Sequence, residues 1–226
     1  MTVTLSGFTI LECTIRDGVA YVVLNQPERG NPVDQTSSRE LRELAVILSE
    51  NQDVRAVLMS ARGKMFSVGG DIKAFAQKRE DLPTIVKSWT ADFHSAIARL
   101  IRMRAPVVVA VHGAVGGGSV SVVAAADIVY ATPNVKFASG FAQIGFSPDS
   151  GSTVTLTQRM GLTRAKRFLL LSETLTAEEA QAAGLVDFIV SQESLMQEAE
   201  ATAKKLAAGA PLAQGGIKQL MLRTRT

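Results

Sequence analysis

Two glycine-rich segments each follow an apolar run: Lys64-Met65-Phe66-Ser67-Val68-Gly69-Gly70-Asp71-Ile72 and Val111-His112-Gly113-Ala114-Val115-Gly116-Gly117-Gly118-Ser119. Glycine has no Cβ, so its backbone N–H can come close to a ligand. Two such donors converging on one carbonyl oxygen would make an oxyanion hole, which stabilises the charge that develops in acyl chemistry. The same segments also read as two tight turns, and the residues alone leave both readings open. Basic residues cluster as Arg99, Arg102 and Arg104, as Arg159, Arg164, Lys166 and Arg167, and as Lys218, Arg223 and Arg225. Solvated helix faces account for most of these, with a phosphate contact as the functional alternative. The single cysteine, Cys13, rules out an intrachain disulfide and a Cys-based zinc site, and the two histidines, His94 and His112, lie in unrelated contexts. No metal site is expected.

The elements that would position these segments follow from the chain's patterning. With 226 residues and 46% hydrophobic residues, the chain can bury the core of one ordinary domain. A net charge of +3 is too small for a nucleic-acid-binding stripe, so no nucleic acid is expected as a partner. The N-terminus lacks the basic and apolar regions of a secretory signal, and the run Ala105 to Val111 is too short to span a bilayer. A cytoplasmic protein with no membrane contact is the expectation.

Ile10 to Ile15 and Val19 to Leu24 read as strands joined by the hairpin signal Arg16-Asp17-Gly18. Thr36 to Glu50 carries Leu41, Leu44, Ala45 and Leu48 at helical spacing, and Ile85 to Met103 does the same through Val86, Trp89, Phe93, Ile97 and Leu100. Val54 to Ser60 and Val107 to Val111 are short apolar strands that lead into the two glycine segments. Ser119 to Ala126 is small and apolar on every side and reads as a buried helix. Strands follow at Ile128 to Ala131 and Val135 to Ala138, and a helix at Thr163 to Leu171. Thr176-Ala177-Glu178-Glu179 has the spacing of a capping box, on a helix that ends at Gly184. Val186 to Val190 returns as a strand, and Ser191 to Ala208 is the last helix before Pro211 and a short tail. Alternating strands and helices predict an α/β protein.

In this order, the segments resemble the crotonase superfamily of enoyl-CoA hydratases and isomerases. The likeness runs from Leu24-Asn25-Gln26-Pro27-Glu28-Arg29 through Phe66 to Ile72, Pro106 to Gly118, Ala126-Asp127-Ile128 and Gly184-Leu185-Val186-Asp187 to Lys218. The resemblance implies an α/β crotonase-like spiral of ββα units, residues 1–190, with a C-terminal helical segment, residues 191–226, that is short for the family. Members generally continue past the position of Thr226 with helices that cover the acyl pocket and build a homotrimer or a dimer of trimers. It also implies an acyl-CoA substrate, coenzyme A being part of the substrate with no prosthetic group. The thioester oxygen would be held by the N–H groups of Gly70 and Gly117, the latter at the positive end of the Ser119 helix. Arg29, Asp71, Ile72 and Lys73 would line the coenzyme A site, Arg29 and Lys73 through phosphate contacts.

Hydratases of this superfamily use two glutamates, which would fall at Val120 and Phe141. Neither residue can exchange a proton, so two-glutamate hydration is not expected. Asp149, in Gly145-Phe146-Ser147-Pro148-Asp149-Ser150-Gly151, matches the acid that several isomerases of the superfamily use, and double-bond migration needs only one base. Apolar Val120 and Phe141 would help exclude water around it. The same Pro-Asp-Ser-Gly run is also an ordinary N-cap, with Asp149 or Ser150 closing the first turn. Asp127 reads as structural. His94, on a charged helix face, and His112, before a turn, are weaker candidates for proton transfer. A thioesterase, a decarboxylase or a non-catalytic CoA-ester-binding subunit could also use the oxyanion hole. Rival motifs fail: no acidic residue follows Gly116-x-Gly118 at dinucleotide-binding spacing, and there is no Walker lysine or G-x-S-x-G elbow.

Overall fold

In a computed structural model, residues 2–77 and 80–223 are described. The chain opens with three antiparallel strands, β1 (Thr2–Leu5), β2 (Leu11–Arg16) and β3 (Val19–Leu24). The turn between β2 and β3 has two residues, Asp17 (φ 51°) and Gly18 (φ 80°), and pairs Arg16 with Val19. That left-handed pair is the type I′ geometry whose twist matches a hairpin. Next come α1 (Gln35–Glu50), β4 (Ala56–Ala61), α2 (Ile72–Gln77) and α3 (Leu82–Arg102). Then follow β5 (Val107–Val111), β6 (Ala114–Gly116), α4 (Ser119–Ala125), β7 (Ile128–Ala131) and β8 (Lys136–Ala138). The C-terminal part holds α5 (Ser152–Met160), α6 (Leu162–Leu170), β9 (Thr174–Thr176), α7 (Ala177–Ala182), β10 (Phe188–Ile189), α8 (Leu195–Ala208) and α9 (Pro211–Arg223).

The larger sheet has the order β1-β2-β3-β4-β5-β7-β10, and from β3 onward its neighbours run parallel. Parallel strands need both faces covered, and all five residues of β5 are buried. One face takes α1 and α3 through Leu41, Leu44, Leu48, Phe93, Ile97 and Leu100, in the main core. The other is covered by α8, whose Leu195, Ala199, Ala203 and Ala207 pack on Val19, Ala56, Leu58, Val108, Ala110 and Tyr130. The second sheet, β6-β8-β9, carries the second glycine segment.

The capping box on α7 is present, Thr176 and Glu179 bonding reciprocally, and a second one, Asp34 with Ser37, starts α1. The expected tail after Pro211 is instead α9. Proline suits the first helical turn because its missing N–H is unpaired there anyway, and tertiary contacts override the weak propensity of Gly215-Gly216. The chief contact is Lys218, 9% exposed, whose ammonium donates to Leu100 O (3.2 Å), Ala105 O (3.1 Å) and Asp127 Oδ2 (2.7 Å). Lys218 is therefore no solvated charge. Arg159 likewise pairs with Asp187, and Arg164 and Arg167 with Glu173, while Arg225 lies outside the described residues. No helix among the described residues is long and apolar enough to cross a membrane.

Candidate active site

The two glycine segments lie side by side. Ser67 N–H donates to Ala114 O (3.2 Å) and Gly116 N–H to Ser67 O (2.9 Å), a parallel bridge between Ser67 and Val115. The approach is too close for side chains. A Cβ on Gly69 would lie 2.5 Å from Gly116 O, and one on Gly116 would lie 2.4 Å from Val68 O. Glycine is required there by the neighbouring backbone, whatever else the segment does.

Gly70 forms a bridge with Val33 in which the bonds belong to its neighbours: Val33 N–H donates to Gly69 O (2.7 Å) and Asp71 N–H to Val33 O (3.1 Å). Strand alternation therefore turns the Gly70 N–H away from Val33. It has no partner among the described residues, and Gly70 lines a cavity of about 210 Å³. Gly117 lines the same cavity, but its N–H donates to Ala138 O at 2.9 Å, the last bond of the β6–β8 ladder. The expected donor is thus engaged. Gly118, next in the chain and also on the wall, has an N–H without a partner among the described residues.

Helix α4 ties this region together with two buried hydroxyls on opposite sides of its first turn. Ser67 Oγ donates to Asn31 O (2.6 Å), so Ser119 Oγ is the donor in the 2.5 Å Ser67–Ser119 contact. Ser152 Oγ donates to Asp149 O (2.6 Å), which makes Ser121 Oγ the donor in the 2.5 Å contact to Ser152. One turn of helix thus braces the first glycine segment and the segment that carries Asp149. Nothing in the sequence marks Ser119 and Ser121, since they stand among small residues on every side of a short helix.

Asp149 lines the cavity, and a Cβ on Gly118 would lie 3.4 Å from its Oδ1. Its carboxylate accepts the Ser150 hydroxyl (2.7 Å) and has no bond to the N–H groups of α5. The cap of α5 is Gly151, without a side-chain bond. The N-cap alternative for Asp149 is therefore not realised. Among the described residues Asp149 is the only ionisable side chain on the cavity wall. Phe141, 7% exposed, is on that wall; Val120, 1% exposed, is in the main core instead. The wall also carries Phe75, Trp89 and Phe146, with Phe75 5.4 Å from Trp89 and 5.7 Å from Phe146 between ring centroids. Trp89 showed only as one apolar residue in a helical stripe; its place at a cavity had no signal in the sequence.

The remaining candidates separate. Asp127 accepts Val107 N–H (2.7 Å) and Lys218, a structural role. His112 meets Gly63 O at 2.8 Å. His94 Nε2 accepts the Ser150 N–H at 2.6 Å and so touches the segment that carries Asp149. Arg29 pairs with Asp34 (3.0 Å) and Asp71 (2.6 Å). Partial burial works to lower its pKa, but hydrogen bonds and charge from Asp34, then Asp71, outweigh it and hold the guanidinium above its ordinary value. Asp71 also accepts Ala74 N–H with its other oxygen (3.0 Å). Arg29 and Asp71 thus balance each other's charge. Ile72 is on the cavity wall, and Lys73 is exposed without an ion-pair partner among the described residues.

Residues 14–226 match the profile of the family described as enoyl-CoA hydratase/isomerase. The chain belongs to that family. It is 30% identical over 210 residues to a trans-2-decenoyl-[acyl-carrier-protein] isomerase from Streptococcus mutans, covering 92% of this chain and 79% of the relative. It is 29% identical over 213 residues to the 1,2-epoxyphenylacetyl-CoA isomerase of Escherichia coli, covering 94% and 81%. The crystal structure of an enoyl-CoA hydratase from Polaromonas sp. JS666 superposes with a TM-score of 0.88 at 26% identity, covering 96% of this chain and 84% of the other. The family holds isomerases and hydratases on one fold, so the chemistry of this member rests on its own site.

Proposed function

We propose that this member of the enoyl-CoA hydratase/isomerase family moves a carbon–carbon double bond, converting a 3-enoyl-CoA to a 2-enoyl-CoA. The observation that carries the reading is the Asp149 carboxylate, the only one among the described residues on a cavity walled by both glycine segments. In the proposed step the Asp149 carboxylate takes a proton from C2. The C2–H electron pair then conjugates with the C3–C4 double bond and the thioester carbonyl. Negative charge collects on the thioester oxygen, where the Gly70 N–H can meet it. The unengaged N–H of Gly118 is the better partner on the facing wall; Gly117 would contribute by sharing its hydrogen between Ala138 O and the ligand. The protonated Asp149 then delivers the same proton to C4, leaving the double bond between C2 and C3. No prosthetic group is required, and no atom is gained or lost.

The aromatic wall of Phe75, Trp89, Phe141 and Phe146 favours the same chemistry, since it limits access of the water that would add to the 2-enoyl product. Water addition would need a second acid, and Val120 and Phe141 stand where hydratases are expected to carry theirs. For coenzyme A, Lys73 is exposed and without an ion-pair partner among the described residues, whereas Arg29 would have to exchange Asp34 or Asp71 for a phosphate.

Ultraviolet absorbance of 2-enoyl, 3-enoyl and dienoyl thioesters tests the proposal. The 3-enoyl substrate should be converted, and Asp149→Asn should lower kcat by about two to four orders of magnitude, the range for a general base, with binding of the thioester retained. Unchanged turnover in that variant would remove Asp149 as the base. Release of free thiol or of carbon dioxide from a suitable thioester would instead support a thioesterase or a decarboxylase.

A further inference from the structure

Ser150 follows Asp149 in an unusual state. It is 2% exposed, and its backbone is left-handed (φ 56°) although it is not a glycine. Such a conformation persists only where the surroundings over-determine it. Three contacts do so. Its N–H donates to His94 Nε2 at 2.6 Å, its hydroxyl donates to Asp149 Oδ1 at 2.7 Å, and that hydroxyl sits where a Cβ on Gly118 would come within 2.8 Å. A ring nitrogen that accepts a hydrogen bond carries no proton, so His94 here is the neutral tautomer with its hydrogen on Nδ1. His112 is the reverse case: against a carbonyl oxygen, Gly63 O at 2.8 Å, its Nε2 must be the donor.

We infer that His94 is a positioning residue for the Asp149 base, acting through Ser150. The unprotonated Nε2 fixes the left-handed turn, and the turn aims the Ser150 hydroxyl at one carboxylate oxygen, which leaves the other for the substrate. Protonation of Nε2 sets two donors against each other, breaks the His94–Ser150 bond and releases the carboxylate. Turnover therefore falls when His94 Nε2 takes up a proton. Among the described residues, the charged groups that share its groove are Asp149 from the base segment, Arg102 further along its own helix α3, and Arg223 from α9; Asp92, also on α3, is paired with Arg42 of α1 at 2.8 Å. The effect on turnover rests on Asp149 being the base; the His94–Ser150 contact does not.

Because the chain has two histidines, imidazole nitrogen NMR on the whole protein reads the contact directly, with His112→Gln supplying the assignment. At neutral pH His94 should carry its proton on Nδ1 and His112 on Nε2. The Ser150 amide and Asp149 carboxyl resonances should move with the midpoint of His94. A proton on His94 Nε2 at neutral pH, or an Asp149 carboxyl that ignores that midpoint, overturns the inference whether or not any thioester is turned over. In kinetics, His94→Leu should lower kcat about tenfold with KM changed less than about twofold, the pattern of a group that acts in the chemical step. His94→Gln, whose carbonyl oxygen can accept the Ser150 N–H, should restore most of that loss and abolish the limb of the kcat–pH profile at the His94 midpoint. Survival of that limb in His94→Gln overturns the inference while leaving Asp149 as the base, and an active Asp149→Asn overturns the base while leaving the NMR contact intact.

Discussion

At the scale of single residues, the site depends on backbone groups more than on side chains. Gly69 shows the constraint most directly, since its missing Cβ is what lets the Gly116 carbonyl pass. Gly69→Ala would force the two glycine segments apart at the point where Gly70 is aimed. The expected cost is about 1–3 kcal/mol, as for overpacking a tight core. A larger effect is expected on turnover, where a displacement near 1 Å can cost about a hundredfold. Urea unfolding together with initial rates checks both, and a variant with native kcat would show that the donor does not need this spacing. Much of this scale is not written in the sequence. Gly70, Gly117 and Asp149 stand out by type and order, yet only the hydrogen-bond pattern shows that Gly117 has spent its N–H on Ala138 while Gly118 has not. The pairing of Arg29 is likewise not written locally, because its carboxylate partners, Asp34 and Asp71, are 5 and 42 residues away along the chain.

At the scale of elements, periodicity served well wherever a segment was long or buried on all sides. β5 and β7 fall where the apolar runs Val107 to Val111 and Ile128 to Ala131 put them. The three-residue strands β6 and β9 are too short to carry a period, and β9 is set by its pairing with β8. Helix α9 is the clearest case of tertiary override, because paired glycines weaken it locally while Lys218 anchors it from α3 to Asp127. Lys218→Met keeps the length and removes the ammonium, leaving two carbonyls and a carboxylate short of a partner. A loss of about 1–3 kcal/mol is expected in urea unfolding, from the two carbonyls left without a donor, since Asp127 is part-exposed and keeps its bond from Val107 N–H. A loss under about 0.5 kcal/mol, as for an ordinary surface substitution, would mean that water takes over the role of the ammonium.

At the scale of the whole molecule, α9 leaves Leu212, Ile217, Leu220 and Met221 between 55% and 77% exposed. Exposed apolar residues of this kind are a candidate contact with another copy of the chain, and the family resemblance implies a trimer. Light scattering coupled to size exclusion should give three or six chains per particle, and Leu220→Glu with Ile217→Glu should shift it to smaller species; a monomer in the native protein would refute the assignment. The placement of α8 has a consequence of another kind, in time. One face of the large sheet is closed by the alanine side of a helix that is made late. At about 5–20 residues per second of synthesis, the stretch from Ala131 to Ala208 takes roughly 4–15 s. For that interval Val19, Leu58, Val108 and Tyr130 have been translated without their cover, so the nascent chain is most exposed to misassembly after its central strands are made and before its C-terminal helices arrive.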